Sequence, residues 1–224
     1  MKKQITLLFT LGLLTCSMAI SQEVNFEKFI NEIQKTNSEA GEINLTWWIP
    51  KEFWEVTFKR EKTMQEDQIE ELLEILDPYV IFAVVDGEVG PFGGLTYTPS
   101  DSIAKTIKII DTDNVVYRPI ETNNLNPNIQ NLLSAFKPIL KNMMGQLGEN
   151  MNFYVFSDRK DSNERLADPL TKGQIQLAYC KKNFIWKFPI GSLLPLKTCP
   201  VDNELLNGSW NYCPFHGEAL ITKG

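Results

Sequence analysis

Four side chains near the C-terminus have the types and spacing of metal ligands. Cys199 and Asp202 occur in the segment Cys-Pro-Val-Asp, and Cys213 and His216 occur in the segment Cys-Pro-Phe-His. A tight turn allows two side chains at this spacing to converge on one ion, and two such turns supply the four ligands of a tetrahedral site. Thiolate, imidazole and carboxylate groups all bind Zn²⁺. The pattern therefore predicts a zinc site formed by Cys199, Asp202, Cys213 and His216.

The segment from residue 199 to residue 220 resembles a zinc ribbon. Each Cys-Pro turn corresponds to one knuckle of that family, and the residues between Asp202 and Cys213 have the length of a ribbon hairpin, with a turn predicted at Asn207-Gly208. The sequence departs from the family at Asp202, where the family has a cysteine. The resemblance implies a small β-hairpin held together by one structural zinc ion, without a catalytic role.

Two alternatives to this ligand set remain open. A disulfide between Cys199 and Cys213 would staple the hairpin without a metal, and an oxidising, exported environment favours it. In the other alternative, Cys180 replaces Asp202 and completes a set of three cysteines and one histidine. All of these interpretations agree that the hairpin needs a staple, because so short a segment has too little apolar core to fold alone.

The first 21 residues have the pattern of a signal peptide. Lys2 and Lys3 precede an apolar run over residues 5–14, and the small residues Ala19 and Ser21 predict cleavage after Ser21. The run is too short to span a bilayer, which takes roughly 20 residues, and no later stretch is apolar enough to do so. We therefore expect an exported bacterial protein, periplasmic or secreted, without a transmembrane helix.

A lipid anchor is an alternative fate for the same segment. The residues Leu-Leu-Thr-Cys ending at Cys16 resemble a bacterial lipobox, which implies lipid attachment at Cys16. Thr15, however, stands where that pattern prefers glycine or alanine. The sequence therefore favours a soluble exported chain over an anchored one.

The charge of the expected mature chain excludes one class of partner. The full sequence has 22 basic and 28 acidic residues, and cleavage removes two lysines, which changes the net charge from −6 to −8. A chain this acidic, without a cluster of lysine or arginine, is unsuited to electrostatic binding of nucleic acid or of anionic lipid. We expect the partner to be a protein or another envelope component.

The remaining sequence predicts an α+β domain over residues 22–190, followed by a linker and the ribbon-like hairpin over residues 191–224. Apolar residues at helical spacing predict four helices, and apolar runs of strand length bounded by turn residues predict eight strands. Because helices and hairpins are grouped rather than strictly alternating, we expect a mainly antiparallel sheet with packed helices. The predicted helices cover residues 23–39, a segment starting at Lys51, 65–76 and 126–147, and the predicted strands cover 45–48, 79–85, 92–98, 104–110, 115–117, 152–156, 174–179 and 184–188.

Residues outside the ribbon offer little catalytic chemistry. The chain has one histidine, His216, and no nucleophile elbow of the type Gly-x-Ser-x-Gly. The glycine-rich run over residues 86–94 is followed by a strand pattern instead of a helix, so it predicts a hairpin loop and not a phosphate site. The aromatic group Trp47, Trp48, Phe53 and Trp54 predicts part of the core.

These observations predict a non-enzymatic module of the bacterial envelope that binds a partner or holds an assembly together. The prediction depends on the export signal and on the lack of a recognised catalytic motif. The alternative is a hydrolase that uses the ribbon metal or buried carboxylates, with Glu204 and Glu218 as the acidic groups nearest in sequence to the site. A metal ligand set with an open position for water would favour the alternative.

Overall fold

The computed structural model describes residues 24–37, 39–61 and 64–222. The predicted signal peptide and Cys16 lie outside these ranges, so export, cleavage after Ser21 and lipid attachment stay predictions. Within the described ranges, no helix is both long enough and apolar enough to cross a membrane.

The chain has the predicted α+β architecture, with antiparallel strand pairing throughout its described sheets. A first sheet has the order β1-β2-β3-β4, with β7 also paired to β3, a second sheet has the order β6-β5-β8-β9, and a third, small sheet has the order β11-β10-β12. The strands are β1 Gln34–Lys35, β2 Glu42–Ile49, β3 Tyr79–Val89, β4 Leu95–Tyr97, β5 Lys108–Ile110, β6 Val116–Tyr117, β7 Asn152–Ser157, β8 Gly173–Tyr179, β9 Lys182–Phe188, β10 Lys197–Thr198, β11 Leu205–Leu206 and β12 Ile221–Thr222. The helices are α1 Phe26–Ile33, α2 Lys51–Glu61, α3 Glu66–Leu76, α4 Ser100–Thr106, α5 Pro127–Met144 and α6 Gln146–Asn150, and short 3₁₀ turns cover Thr122–Asn124 and Gly191–Leu193.

The first sheet is buried on both faces. Neighbouring residues of each strand point to opposite sides of the sheet, so Trp47 and Trp48 report on different faces. On one face, Trp47 packs edge-on against Phe53 of α2, with ring centroids 5.1 Å apart, and contacts Phe136 of α5. On the other face, Trp48 packs against Phe188 of β9 at 5.1 Å. The main body therefore has three layers: helices, the first sheet and the second sheet. The predicted burial of the aromatic group is confirmed.

Local sequence explains where the main helices begin. The side chain of Asn25 accepts a hydrogen bond from the Lys28 N–H at 3.0 Å and caps α1. Gln65 and Gln68 form a capping box at the start of α3. Asn126 caps α5 in the same way, and Pro127 occupies the first position, where a missing N–H costs nothing.

Three predicted boundaries are wrong. The first helix ends at Ile33, and residues 34–35 join the sheet as β1. The segment 104–110 is divided between the end of α4 and β5. Strand β3 continues past Asp86-Gly87 to Val89, and the turn falls instead at residues 90–94, where the Gly90 N–H donates to the Gly94 carbonyl at 2.7 Å. At residues 34–35 and 86–89, pairing with a neighbouring strand overrides the local pattern.

The long helix also differs from its prediction. Proline inside a helix removes one N–H donor and is expected to kink or split the helix, but α5 continues as one helix through Pro138 and ends at Met144. Gly145, with φ 60° and ψ −129°, separates it from α6. A positive φ is readily adopted by glycine, so the break falls at the glycine and not at the proline.

Two separate apolar clusters form in the described chain. The main cluster includes residues of both large sheets and of the helices up to Ile190. The second contains Cys199, Leu206 and Cys213, with Leu220 packed against them. The division of the chain into domains at residue 190 stays a prediction, and the change of cluster falls in the same region.

Candidate metal centre

The first Cys-Pro turn is a tight loop closed by backbone hydrogen bonds. Strand β10 delivers the chain to Cys199, whose N–H donates to the Glu204 carbonyl at 2.9 Å. The Asn203 N–H donates to the Cys199 carbonyl at 2.9 Å, and Asn203 has φ 63°. The N–H groups of Val201 and Asp202 donate to the Cys199 sulfur. The loop therefore directs its backbone dipoles at the thiol.

The second Cys-Pro turn repeats this structure residue by residue. The Cys213 N–H donates to the Glu218 carbonyl at 2.8 Å, and the Gly217 N–H donates to the Cys213 carbonyl at 2.9 Å. Gly217 has φ 73°, which matches Asn203 in the first turn. The N–H groups of Phe215 and His216 donate to the Cys213 sulfur. The two turns are thus equivalent knuckles, as the resemblance to a zinc ribbon implies.

The knuckles bring three donor atoms together. The Nδ1 atom of His216 lies 3.4 Å from the Cys199 sulfur and 3.5 Å from the Cys213 sulfur, and all three atoms lie within 4.8 Å of one another. Tetrahedral zinc with ordinary bond lengths places a thiolate sulfur and an imidazole nitrogen about 3.6 Å apart. Cys199 and Cys213 are buried, and His216 is exposed. This group of two cysteines and one histidine can hold a metal ion.

Asp202 lies at the edge of this group. Its Oδ2 atom is 3.8 Å from His216 Nδ1, whereas two ligands of these types on one zinc ion would be separated by about 3.3 Å. Its Oδ1 atom accepts a hydrogen bond from the Glu204 N–H at 3.0 Å, which fixes the carboxylate beside the first knuckle. Asp202 therefore lies next to the group of Cys199, Cys213 and His216 without being a member of it.

The electrostatics of the site favour a cation. Burial raises the pKa of the Cys199 thiol, with the N–H groups of its knuckle acting in the opposite direction. At Cys213 burial has the same effect, but the N–H groups of His216 and Phe215 and the His216 side chain outweigh it, so the pKa of Cys213 is lowered. The Glu204 N–H and the Cys199 thiol hold the pKa of Asp202 below its ordinary value. These shifts favour the ionised forms of Cys213 and Asp202 and the neutral form of Cys199.

Both alternatives to the predicted ligand set can be compared with the structure. Cys199 and Cys213 are free cysteines, with no bond between their sulfur atoms. Cys180 belongs to the turn between β8 and β9, where its sulfur contacts Thr106 of α4 at 3.5 Å. It is part of the main body and does not belong to the Cys199–Cys213–His216 group.

The turn predicted at Asn207-Gly208 is present, with the Trp210 N–H donating to the Asn207 carbonyl at 3.1 Å, but it does not connect the strands of the hairpin. Strand β10 pairs with β11 across the first knuckle and with β12 on its other side, so the knuckle itself is the hairpin connection. Gly208 packs against the main chain instead, since a Cβ atom there would lie 2.4 Å from the Pro195 carbonyl oxygen. This close approach of the Pro195 carbonyl requires a glycine at position 208.

Sequence reasoning missed the residues that attach the third sheet to the main body. Glu32 of α1 accepts hydrogen bonds from the Ser192 N–H at 2.9 Å and hydroxyl at 2.5 Å, and from the Asn207 side chain at 3.2 Å. The Asn207 side chain also fills the space beside Gly191, where a Cβ atom would lie 1.8 Å from its oxygen. Nothing in the local sequence marks Glu32, because its partners are 160 and 175 residues away.

Comparisons with known proteins add no relative to this description. No protein-family model matches the chain, and neither the curated proteins nor the solved structures provide a match. The case for function therefore depends on the geometry of the chain itself.

Proposed function

We propose that residues 199–220 bind one zinc ion through Cys199, Cys213, His216 and Asp202, and that the ion is a structural clasp. The observation that carries the proposal is the pair of equivalent knuckles, each with two N–H groups directed at its cysteine sulfur. Such hydrogen bonds stabilise thiolates, which are the form that binds zinc. The two soft sulfur ligands and the imidazole favour zinc over calcium or magnesium, which prefer oxygen.

The proposed role is structural because four protein groups would surround the ion. A catalytic zinc site has three protein ligands and an open position for water. With Asp202 as the fourth ligand, no such position is left, and the hydrolase alternative loses its nucleophile. Glu204 and Glu218 are exposed, and their carbonyls, not their carboxylates, bond to the knuckles.

We further propose that the chain is an exported, non-enzymatic module that binds an envelope component or holds an assembly together. The sequence features of a signal peptide, the acidic mature chain and a clasp without a reaction all support this role. The clasp gives a small third sheet, attached to the main body through Glu32, a defined shape in an extracytoplasmic environment.

Metal analysis and thiol counting on one preparation test the clasp. Protein purified without added zinc should contain one zinc ion per chain, and Cys180, Cys199 and Cys213 should all react as thiols after denaturation. Two unreactive thiols and no metal would overturn the proposal in favour of a disulfide.

The fourth ligand has its own test. Replacing zinc with Co²⁺ should give the intense visible absorption of a tetrahedral site. Asp202→Ala should lower the metal affinity by about 10- to 100-fold, and Asp202→Cys should restore it and intensify the thiolate charge-transfer bands. Glu204→Ala is the matched control and should leave the spectrum unchanged. An unchanged affinity in Asp202→Ala would reduce the proposed set to three protein ligands.

A further inference from the structure

Strand β9 is the free edge of the second sheet. Tyr179 and Lys182 pair across the two-residue turn that joins β8 to β9. Because hydrogen-bonded and non-hydrogen-bonded pairs alternate in an antiparallel ladder, the backbone N–H and C=O groups of Asn183, Ile185 and Lys187 point away from β8. These outward groups have no hydrogen-bond partner among the described residues. A row of unpaired backbone groups is a template for an added strand.

A groove runs along this free edge. Its other wall is formed by residues 32–37 and 39–42, which contain β1, the edge strand of the first sheet. One cavity of about 450 Å³ lies between Glu32, Lys35 and residues 185–190. A second, of about 520 Å³, lies between Thr36, Asn37, Glu39 and Glu42 on one side and residues 180–184 on the other. The two walls run in opposite directions, so the cavities follow one another along the whole length of β9.

The groove has more free positive than negative charge. Glu42 is paired with Lys182 at 3.2 Å, and the Glu32 carboxylate is occupied by Ser192 and Asn207. Among the described residues that line the two cavities, Lys35, Lys181 and Lys187 have no ion-pair partner, and Glu32 and Glu39 are the acids without one. This contrasts with the net charge of −6 for the whole chain.

From these features we infer that the groove binds an extended, acidic peptide segment of a partner protein, which pairs with β9 as an additional strand. Main-chain hydrogen bonds to Asn183, Ile185 and Lys187 supply affinity in this mode of recognition, and flanking side chains supply specificity. The exposed Ile185 side chain lies at the centre of the edge and contacts the apolar side chains of the peptide.

The shape of the groove decides between a single peptide and a second copy of the chain. The wall formed by residues 32–37 and 39–42 stands opposite β9 along both cavities. A second copy would have to bring its whole sheet edge into the same space.

The inference rests on the proposed binding role, for which it supplies a partner class, and it does not depend on the clasp. The zinc content of each sample, measured alongside peptide binding, keeps the two apart. Peptide binding without zinc would contradict the clasp alone, and zinc without peptide binding would contradict the inference alone.

Fluorescence anisotropy with defined peptides tests the inference on the full mature chain. The probe is a labelled peptide of about nine residues of alternating glutamate and valine, long enough to pair along β9. It should bind about tenfold or more tightly than the same peptide with lysine in place of glutamate. A version with N-methylated valines, which lacks alternate N–H donors, should lose binding. Equal binding of the N-methylated peptide, or no binding of the acidic peptide, would overturn the inference.

Substitutions in β9 locate the site. Ile185→Pro removes an N–H that points away from β8, so it should weaken peptide binding by about tenfold while the circular dichroism spectrum stays unchanged. Ile185→Val, which retains that N–H, is the control. If Ile185→Pro does not fold, Lys181→Glu combined with Lys187→Glu replaces it and should reverse the preference towards the lysine peptide. An unchanged preference, or a concentration-dependent dimer that the peptide does not dissociate, would count against the proposed site.

Discussion

The main body and the third sheet use the same kinds of residue in opposite ways. In the main body, aromatic residues such as Trp48 and Phe82 are fully buried between the sheets. In the third sheet and its knuckles, the large apolar residues Val201, Tyr212 and Phe215 are more than half exposed, and two of the three buried residues are cysteines. Burial of apolar side chains stabilises the main body, whereas potential metal-ligand atoms converge in the third sheet and its knuckles.

The energetics of the two regions explain this contrast. Ordering one residue of backbone costs about 1–2 kcal/mol, and burying Leu206 returns only about 1.5–3 kcal/mol. The apolar cluster of the third sheet therefore cannot offset the ordering of its two knuckles. A structural zinc ion contributes about 10–16 kcal/mol in small metal-binding domains, which is the right magnitude for the deficit. The stability of a small region of this kind depends on specific metal–ligand bonds, whereas the stability of a large region depends on the apolar area that it buries.

Removing a tryptophan from each region should give the largest contrast. Trp48→Ala leaves a cavity between the two large sheets and should lower the free energy of unfolding by about 3–5 kcal/mol. Trp210→Ala removes a side chain that is 42% exposed and should cost less than about 1 kcal/mol. Urea denaturation followed by circular dichroism measures both. Similar losses in the two variants would contradict the contrast between the regions.

Removing the clasp should loosen one region and spare the other. Cys199→Ser combined with Cys213→Ser, or chelation of the metal, should raise the rate of proteolysis after residue 197 by about tenfold or more. The reason is that the two knuckles lose the metal ion that joins them. The melting transition of the main body should change little.

Mass spectrometry of the cleavage products locates the loosened segment, and Cys180→Ser is the matched cysteine control. If the double variant melted and resisted protease as the parent does, the third sheet would not depend on its cysteines.

Loosening the attachment between the regions should have a smaller effect than removing Trp48. Glu32→Gln keeps the size of the side chain but removes the charge that accepts hydrogen bonds from Ser192 and Asn207, so it should cost about 1–3 kcal/mol locally. Faster hydrogen exchange at the Ser192 amide, with an unchanged zinc content, is the expected readout. Glu27→Gln, on the exposed face of the same helix, should behave as the parent. A loss of zinc in Glu32→Gln would mean that the clasp depends on the main body.

The sequence predicted most helices and strands because their information is local. The capping residues Asn25 and Asn126, and the apolar run from Tyr79 to Val85, identify their elements without tertiary contacts. It failed where a neighbouring strand decided the outcome, as at residues 34–35, which pair with β2, and at residues 86–89, which pair with β2 and β4. The pattern of apolar residues in one segment does not show which strand will pair with it in the folded chain.

The sequence by itself determined the two knuckles, because the spacing of Cys199 and Asp202, and of Cys213 and His216, fits a turn whose geometry is fixed within five residues. Only the tertiary structure decided which groups meet there, separating Cys180 from the site and placing Asp202 at its edge. It also decided the Glu32 attachment and the groove beside β9, since each requires segments more than a hundred residues apart to lie side by side. Local chemistry can be derived from neighbours in the chain, whereas contacts across the fold depend on how the layers pack.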